Sequence, residues 1–160
     1  REIISDDYMT YTSIQDLLNE ISKSFEENTQ KKIILNLDKA KKKIPIIRSS
    51  EITYGIRNFV GNAVKFSDKK VNINLISSSK NLIIEILDDG PGYPPDVIKF
   101  IGEPYISSKS KKIKNKSGLG LGSFIGKTLL ERKKASIEFD NIPNSGAKVQ
   151  ITWSLSDITI

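Results

Sequence analysis

The strongest constraint on this chain is that it carries two hydrophobic periods in an order that never settles into alternation. Residues 71–76 and 82–87 form apolar tracts either side of a polar turn at 77–81. Ile137 and Phe139, then Ala147, Val149, Ile151 and Trp153, alternate with polar neighbours around an Asn144-Ser145-Gly146 turn. A period of two predicts strands with one buried face. Helical spacing governs Ile14, Leu17, Leu18, Ile21 and Phe25, which follow the capping-box pair Thr12 and Gln15. The same spacing recurs at Ile52, Ile56, Phe59, Ala63 and Phe66, in a helix predicted from about Ser50 to Phe66. Runs 33–37 and 44–47 read as two more strands, 95–101 as a short helix, and 118–122 as the start of a helix reaching about Lys134. Adjacent hairpins without regular strand–helix–strand units predict an α+β fold. It is a two-layer α/β sandwich, a mixed, mostly antiparallel sheet with helices on one face.

Size and residue inventory narrow the chemistry. The 160 residues suit one domain, assigned to residues 12–156, with 1–11 as a linker or the tail of a preceding helix and 157–160 as a C-terminal tail. The chain opens on Arg1 without an initiator Met, so a fragment of a longer protein is expected. It contains no Cys and no His, which removes disulfides, thiolate zinc sites, catalytic triads and imidazole acid–base chemistry. Asn, Asp, Lys, Ser and backbone amides remain, a set suited to phosphoryl transfer, where positioning and charge neutralisation dominate. The net charge of +6 comes mainly from Lys. The basic runs 39–43 and 109–116 hold no aromatic residue, so no nucleic-acid partner is expected. No apolar run approaches the roughly 18 residues of a membrane span.

Four places could carry chemistry. Asn58 and Asn62 share a helix face about 100° from the Ile56–Phe59 stripe, and Lys65 lies one turn beyond Asn62. Together they could offer an amide oxygen to a hard cation and an ammonium to phosphate; the same spacing also fits exposed polar residues. Asp88 continues the face of Leu82, Ile84 and Ile86. It is either a carboxylate at the edge of the core, needing a partner such as an adenine amino group, or a turn residue with Asp89. Gly90 and Gly92 permit close approach of a flat ligand. Gly118-Leu-Gly-Leu-Gly122 leads into a helix, whose free amides and dipole suit an anion. Between these last two motifs lies a polar stretch, 102–117, read as a lid.

In this order the motifs resemble those of histidine kinases. Gly55-Ile-Arg-Asn-Phe-Val-Gly-Asn-Ala-Val-Lys-Phe-Ser67 resembles the N box, and Asp88-Asp-Gly-Pro-Gly92 the G1 box. Gly118–Gly122 with Phe124-Ile125-Gly126-Lys127 resembles the G2 box, and Gly102-Glu-Pro-Tyr105 occupies the place of the F box. The likeness covers about residues 12–155 and implies the Bergerat ATP-binding fold of a sensor histidine kinase's catalytic domain. Within the family, Gly102-Glu-Pro-Tyr105, Thr128-Leu-Leu-Glu-Arg132 and Trp153 look most like redox-responsive kinases of the RegB/PrrB/ActS type. The resemblance implies ATP and Mg²⁺ as cofactors, with Asn62 ligating Mg²⁺, Asn58 supporting it and Lys65 contacting phosphate. Asp88 would accept from the adenine amino group, with Phe66 and Tyr93 beside the base and Gly90 and Gly92 shaping its pocket. Lys109, Gly118, Leu119, Gly120, Leu121 and Gly122 would contact the phosphates. A departure is Ser123, where Leu is usual.

The implied partners are a histidine-bearing dimerisation domain of the same kinase and a response regulator. The domain itself would be monomeric within a homodimeric, inner-membrane-anchored sensor, on the cytoplasmic side. Two rivals differ in class. A gyrase-type ATPase would place a Glu four residues before the metal Asn as general base. Asn58 stands there, and an amide cannot take a proton. A nucleotide-binding docking module without catalysis is the other.

Overall fold

The computed structural model describes residues 10–40, 42–102 and 119–160. Of the expected lid at 102–117 only Gly102 is described; 103–117, with Lys109, and also Gly118, lie outside the described residues. Five strands form one sheet in the order β2-β4-β5-β7-β6: β2 Lys32–Lys39, β4 Lys70–Ser77, β5 Asn81–Asp88, β6 Ser136–Asn141 and β7 Ala147–Ser154. Only the β2–β4 pairing is parallel; the other three are antiparallel. On β4, β5 and β7 every second residue is buried, Val71, Ile73 and Leu75, Leu82, Ile84 and Ile86, and Val149, Ile151 and Trp153. Helices α1 (Ile14–Glu26) and α2 (Ser50–Phe66) bury Leu17, Leu18 and Ile21, and Ile56 and Phe59, in the same core. The sheet is therefore mixed and packed against helices, as its period-two tracts predict.

Two local assignments change. The N-cap of α1 is Ser13, whose Oγ accepts from the Asp16 amide at 3.0 Å, rather than Thr12. Gln15 takes no part in a capping box. It is buried, its Nε2 donating to the Lys42 carbonyl at 2.8 Å and its Oε1 accepting from the Ile44 amide at 3.1 Å. That clamp holds the approach to β3 (Pro45–Ile47), which pairs antiparallel with a three-residue strand, β1 (Tyr11–Ser13), in which no period is visible. The last helix, α5 (Leu155–Ile158), adds Ile158 to the core.

The site depends on where α2 ends. Lys31, in the turn before β2, donates from Nζ to the carbonyls of Val64 at 2.6 Å, Ser67 at 2.8 Å and Lys65 at 3.3 Å. One ammonium thus satisfies carbonyls that a helix terminus leaves open, at the negative end of its dipole. Replacing it with Met keeps most of the stem but removes the ammonium from all three carbonyls; Val64 keeps a second donor, the Ser67 hydroxyl. Lys31→Met is expected to destabilise the domain by about 1–2 kcal/mol, read as a lowered midpoint in denaturant unfolding with an unchanged slope.

Candidate functional site

At its C-terminal end α2 passes over the end of β5, and the two elements enclose a cavity of about 110 Å³. Phe59, Asn62, Ala63 and Phe66 line it from α2, Ile86 and Asp88 from β5, and Ala147 and Val149 from β7. Pro91, Gly92, Tyr93 and Pro94 complete the wall. The lining is largely apolar and three of its members, Phe59, Phe66 and Tyr93, are aromatic, with a single carboxylate at its base. Such a pocket accepts a flat ring and fixes it through one polar point.

Asp88 supplies that point. It is the last residue of β5, 8% exposed, and continues the buried face of Ile84 and Ile86. Its Oδ1 accepts from the Gly90 amide at 2.8 Å and the Ala147 amide at 3.3 Å. Burial pushes its pKa up and the charge of Asp89 adds to this, against the pull of those two amides and of Lys31. Asp89 moves the other way. Its partial burial is outweighed by the amides of Lys69, Lys70 and Asp68, which hold it below the usual range. The two adjacent carboxylates thus have separate roles: Asp89 ties the start of β4, and Asp88 faces the cavity.

Of the residues singled out in the sequence, Asn62, Phe66, Asp88, Gly92 and Tyr93 are brought together around this cavity. Phe66 leaves the main core expected of the α2 stripe and packs instead with Tyr93 and Phe139 on a small cluster, Val97 of the short helix α3 (Pro95–Ile98) and Ile101. Gly90 lies beneath the site. A Cβ there would stand 2.0 Å from the Phe66 carbonyl oxygen, so no other residue allows this approach. Asn58 and Lys65 do not line the cavity: the Asn58 Nδ2 donates to the Tyr54 carbonyl at 2.7 Å, and Lys65 is exposed with Nζ 5.7 Å from the Phe66 ring centre. Leu119, Gly120, Leu121 and Gly122 form the first turn of α4 (Leu119–Glu131), where amides have no acceptor within the helix. Gly122 comes near Asn62, so the helix start and the α2 amide lie side by side.

Sequence reasoning missed three contributors. Gly146, read only as a turn residue, leaves room for Asp88: a Cβ there would lie 2.2 Å from the Asp88 carbonyl oxygen and 2.5 Å from Oδ1. Asn141 holds the 91–94 segment by accepting from the Tyr93 amide at 2.8 Å and donating to the Tyr93 carbonyl at 2.9 Å. Ser123, seen only as a departure, accepts from Asn62 Nδ2 at 3.3 Å. The following Gly after an Asn-Ser turn was the available signal for the first; the other two contacts are non-local and leave none.

A pocket for a flat base beside a helix start suited to anions defines a nucleotide-binding domain. The family model described as "Histidine kinase-, DNA gyrase B-, and HSP90-like ATPase" matches residues 48–157, and the chain belongs to this family. Sensor histidine kinase RegB of Cereibacter sphaeroides is 34% identical over 131 residues, which span 72% of this chain and 28% of RegB. Sensor protein KdpD of Clostridium acetobutylicum is 33% identical over 94 residues, 58% of this chain and 10% of KdpD. The chain thus spans about a quarter or less of the length of these curated relatives. The catalytic domain of histidine kinase ThkA superposes with a TM-score of 0.75 at 18% identity, covering 93% of this chain and 98% of ThkA's. The ATP-binding domain of PrrB from Mycobacterium tuberculosis gives 0.63 at 18% identity, covering 89% and 94%. These two show the shared fold. The chain is the ATP-binding catalytic domain of a two-component sensor histidine kinase.

Proposed function

We propose that this domain holds Mg-ATP in the cavity above Asp88 and presents its γ-phosphoryl group to a histidine on a dimerisation domain outside this chain. The observation that carries the reading is that a buried carboxylate, Asp88, and Asn62 line one cavity beside the first turn of α4. Asp88 would accept from the amino group of adenine, with Phe66 and Tyr93 against the ring. Among the described residues no cluster of acidic side chains could hold a metal by itself. A single amide oxygen, Asn62 Oδ1, fits Mg²⁺ that is ligated mainly by phosphate oxygens and water. When bound, the ion would neutralise charge on the phosphates. The amides of Leu119, Gly120, Leu121 and Gly122 would hold the phosphate oxygens, with Lys65 and, on the motif alone, Lys109 and Gly118 adding to them. Asn58 would support Asn62 from the neighbouring turn.

In the transfer, an imidazole nitrogen forms the new N–P bond as the bond between the γ-phosphorus and the bridging oxygen breaks. ADP leaves with the electron pair, and the ring's proton goes to solvent. This needs alignment more than a base, since neutral imidazole is already nucleophilic. Asn58 stands where a water-activating carboxylate would be needed, so ATP should be spared from hydrolysis. The receiver of the phosphoryl group is then a response regulator, and the domain works on the cytoplasmic side of a membrane-anchored, homodimeric sensor. No helix among the described residues is long and apolar enough to cross a membrane.

Incubated with ATP radiolabelled at the γ-position, the chain itself should stay unlabelled, and phosphate release should be very slow. A histidine-bearing helical hairpin supplied as a separate chain should become labelled, and the label should be acid-labile, as a phosphoramidate is. Fast turnover of ATP, or acid-stable label on a hydroxyl side chain, would overturn the kinase reading.

A further inference from the structure

We propose that Ser123 is a positioning residue: its buried hydroxyl sets which end of the Asn62 amide faces the phosphate and metal site. The proposal rests on Asn62 being the metal ligand, and it concerns a residue at which this chain departs from the family's usual Leu.

Ser123 lies in the second turn of α4 and is 1% exposed. A buried hydroxyl needs a partner, since leaving it unpaired costs more than an apolar side chain would. Of the other buried serines, Ser13 caps α1, Ser67 donates to the Val64 carbonyl at 2.9 Å, and the Ser22 hydroxyl has no hydrogen-bond partner among the described residues. Ser123 instead reaches across to α2 and accepts from Asn62 Nδ2 at 3.3 Å. A serine inside a helix gives its proton readily to the carbonyl one turn back, which leaves lone pairs for a neighbour.

The consequence lies in the asymmetry of an amide. One end donates and the other accepts, and the two are nearly equal in shape. Only the oxygen suits a cation; with the group reversed, an NH₂ would point at it. The α4 backbone at Gly122 does not choose between the two orientations. A Cβ at Gly122 would be 3.4 Å from both Nδ2 and Oδ1, so that contact is equal for either end. The choice falls to the hydrogen bond with Ser123, which engages the nitrogen and leaves Oδ1 for the cavity that Asn62 lines. A Leu at 123 would fill the space without this preference. Because α4 carries both the phosphate-facing amides and Ser123, docking of α4 on α2 orients the metal ligand at the same time.

The test is calorimetric titration of ATP into the chain, in EDTA and in Mg²⁺, for the wild type, Ser123→Ala, Ser123→Cys and Asn62→Leu. In the wild type Mg²⁺ should tighten binding, and in Asn62→Leu that enhancement should vanish. Ser123→Ala should bind metal-free ATP within twofold of the wild type. Its Mg²⁺ enhancement should fall about fivefold, the factor of one ordinary hydrogen bond. Ser123→Cys keeps the shape of the side chain with a larger atom that accepts weakly, and should show the same split even if the alanine variant folds poorly. In ¹H–¹⁵N spectra the Asn62 side-chain NH₂ signals should shift in both variants before any metal is added. An undiminished Mg²⁺ enhancement in Ser123→Ala and Ser123→Cys, with the loss confined to Asn62→Leu, would overturn the proposal alone. Equal weakening with and without Mg²⁺ would also overturn it, as a purely structural role. Enhancement that survives Asn62→Leu would overturn the metal reading and the proposal together.

Discussion

Asp88→Asn is expected to bind ATP about a hundredfold more weakly than the wild type and, at neutral pH, to unfold at a higher temperature. Both effects come from the same few atoms. Oδ1 of Asp88 already accepts from the Gly90 and Ala147 amides, and an Asn oxygen can do the same. The amide nitrogen must then take the corner that faces the cavity. A carboxylate oxygen there welcomes the amino group of adenine, whereas an NH₂ meets it donor to donor. Losing a charge-assisted bond of about 1.5–3 kcal/mol, with a repulsive pair in its place, accounts for two powers of ten. Isothermal calorimetry measures it. Wild-type affinity in the variant would remove Asp88 from base recognition.

The stability gain follows from the direction of the Asp88 pKa. Burial raises it, so the folded state favours the protonated form relative to the unfolded chain. The stability this contributes is complete below the unfolded value, near the ordinary 3.8, and is lost as pH rises through the raised folded value. At neutral pH the wild type therefore carries a desolvated charge that Asp88→Asn lacks. The gap between the two melting temperatures should open as pH rises through the raised pKa and close below 3.8. Comparing the two chains cancels the opposite trend of Asp89, whose lowered pKa supports folding down to acid pH. Nucleotide affinity of the wild type should fall as pH drops through that same raised value, because a protonated Asp88 loses part of its acceptor capacity. A wild-type affinity flat across this range would count against an ionised Asp88 in the complex.

What the sequence revealed and what it hid divide by the range of the interactions. Strands β4, β5 and β7 were legible because each has one face wholly in the core: β4 and β7 alternate in sequence, and β5 is an almost continuous apolar tract in which only burial alternates. Helix α2 was legible to the residue because Ser49 caps one end, its Oγ accepting from the Ile52 amide, and Ser67 breaks the other. Strand β1 has three residues, too few for a period, and exists through pairing with β3. Thr12 and Ser13 are adjacent hydroxyls, and the choice of cap turned on Gln15, whose amide is taken by Lys42 and Ile44 far along the chain. Phe66 obeys the α2 period, but the last turn overhangs the end of β5, so it meets the cavity instead of the core. Asn58 and Asn62 share a face in projection. Four residues advance a helix by about 40° beyond one full turn, enough to leave Asn58 on its own backbone while Asn62 enters the cavity. The motif order carried the family; the contacts that tune the motifs, Asn141 to Tyr93 and Ser123 to Asn62, are side-chain pairs that no spacing encodes.

Gly146→Ala should damage the site far more than its single methyl group suggests. Its Cβ would fall 2.2 Å from the Asp88 carbonyl oxygen, 2.8 Å from its carbon and 2.5 Å from Oδ1. Two of these are backbone atoms paired into the sheet, so no flexible side-chain end can swing aside. Either the start of β7 or the end of β5 must move, and the bond from the Ala147 amide to Asp88 goes with it. Overpacking of this kind costs about 1–3 kcal/mol of stability, and the displaced carboxylate should weaken ATP by more than tenfold. Gly61→Ala on α2 is the control. Its Cβ would meet the Phe25 ring at 3.4 Å, ordinary contact, and Ala is the better helix former by about 1 kcal/mol, so stability should hold or rise and ATP binding should not change. The route through Asp88 is checked by a double-mutant cycle. In an Asp88→Asn background the further loss of affinity from Gly146→Ala should shrink to less than about threefold, because contacting residues do not act additively. A full, additive loss in that background would show that Gly146 shapes the cavity by another path, and unaltered ATP affinity in Gly146→Ala would deny it any part in the site.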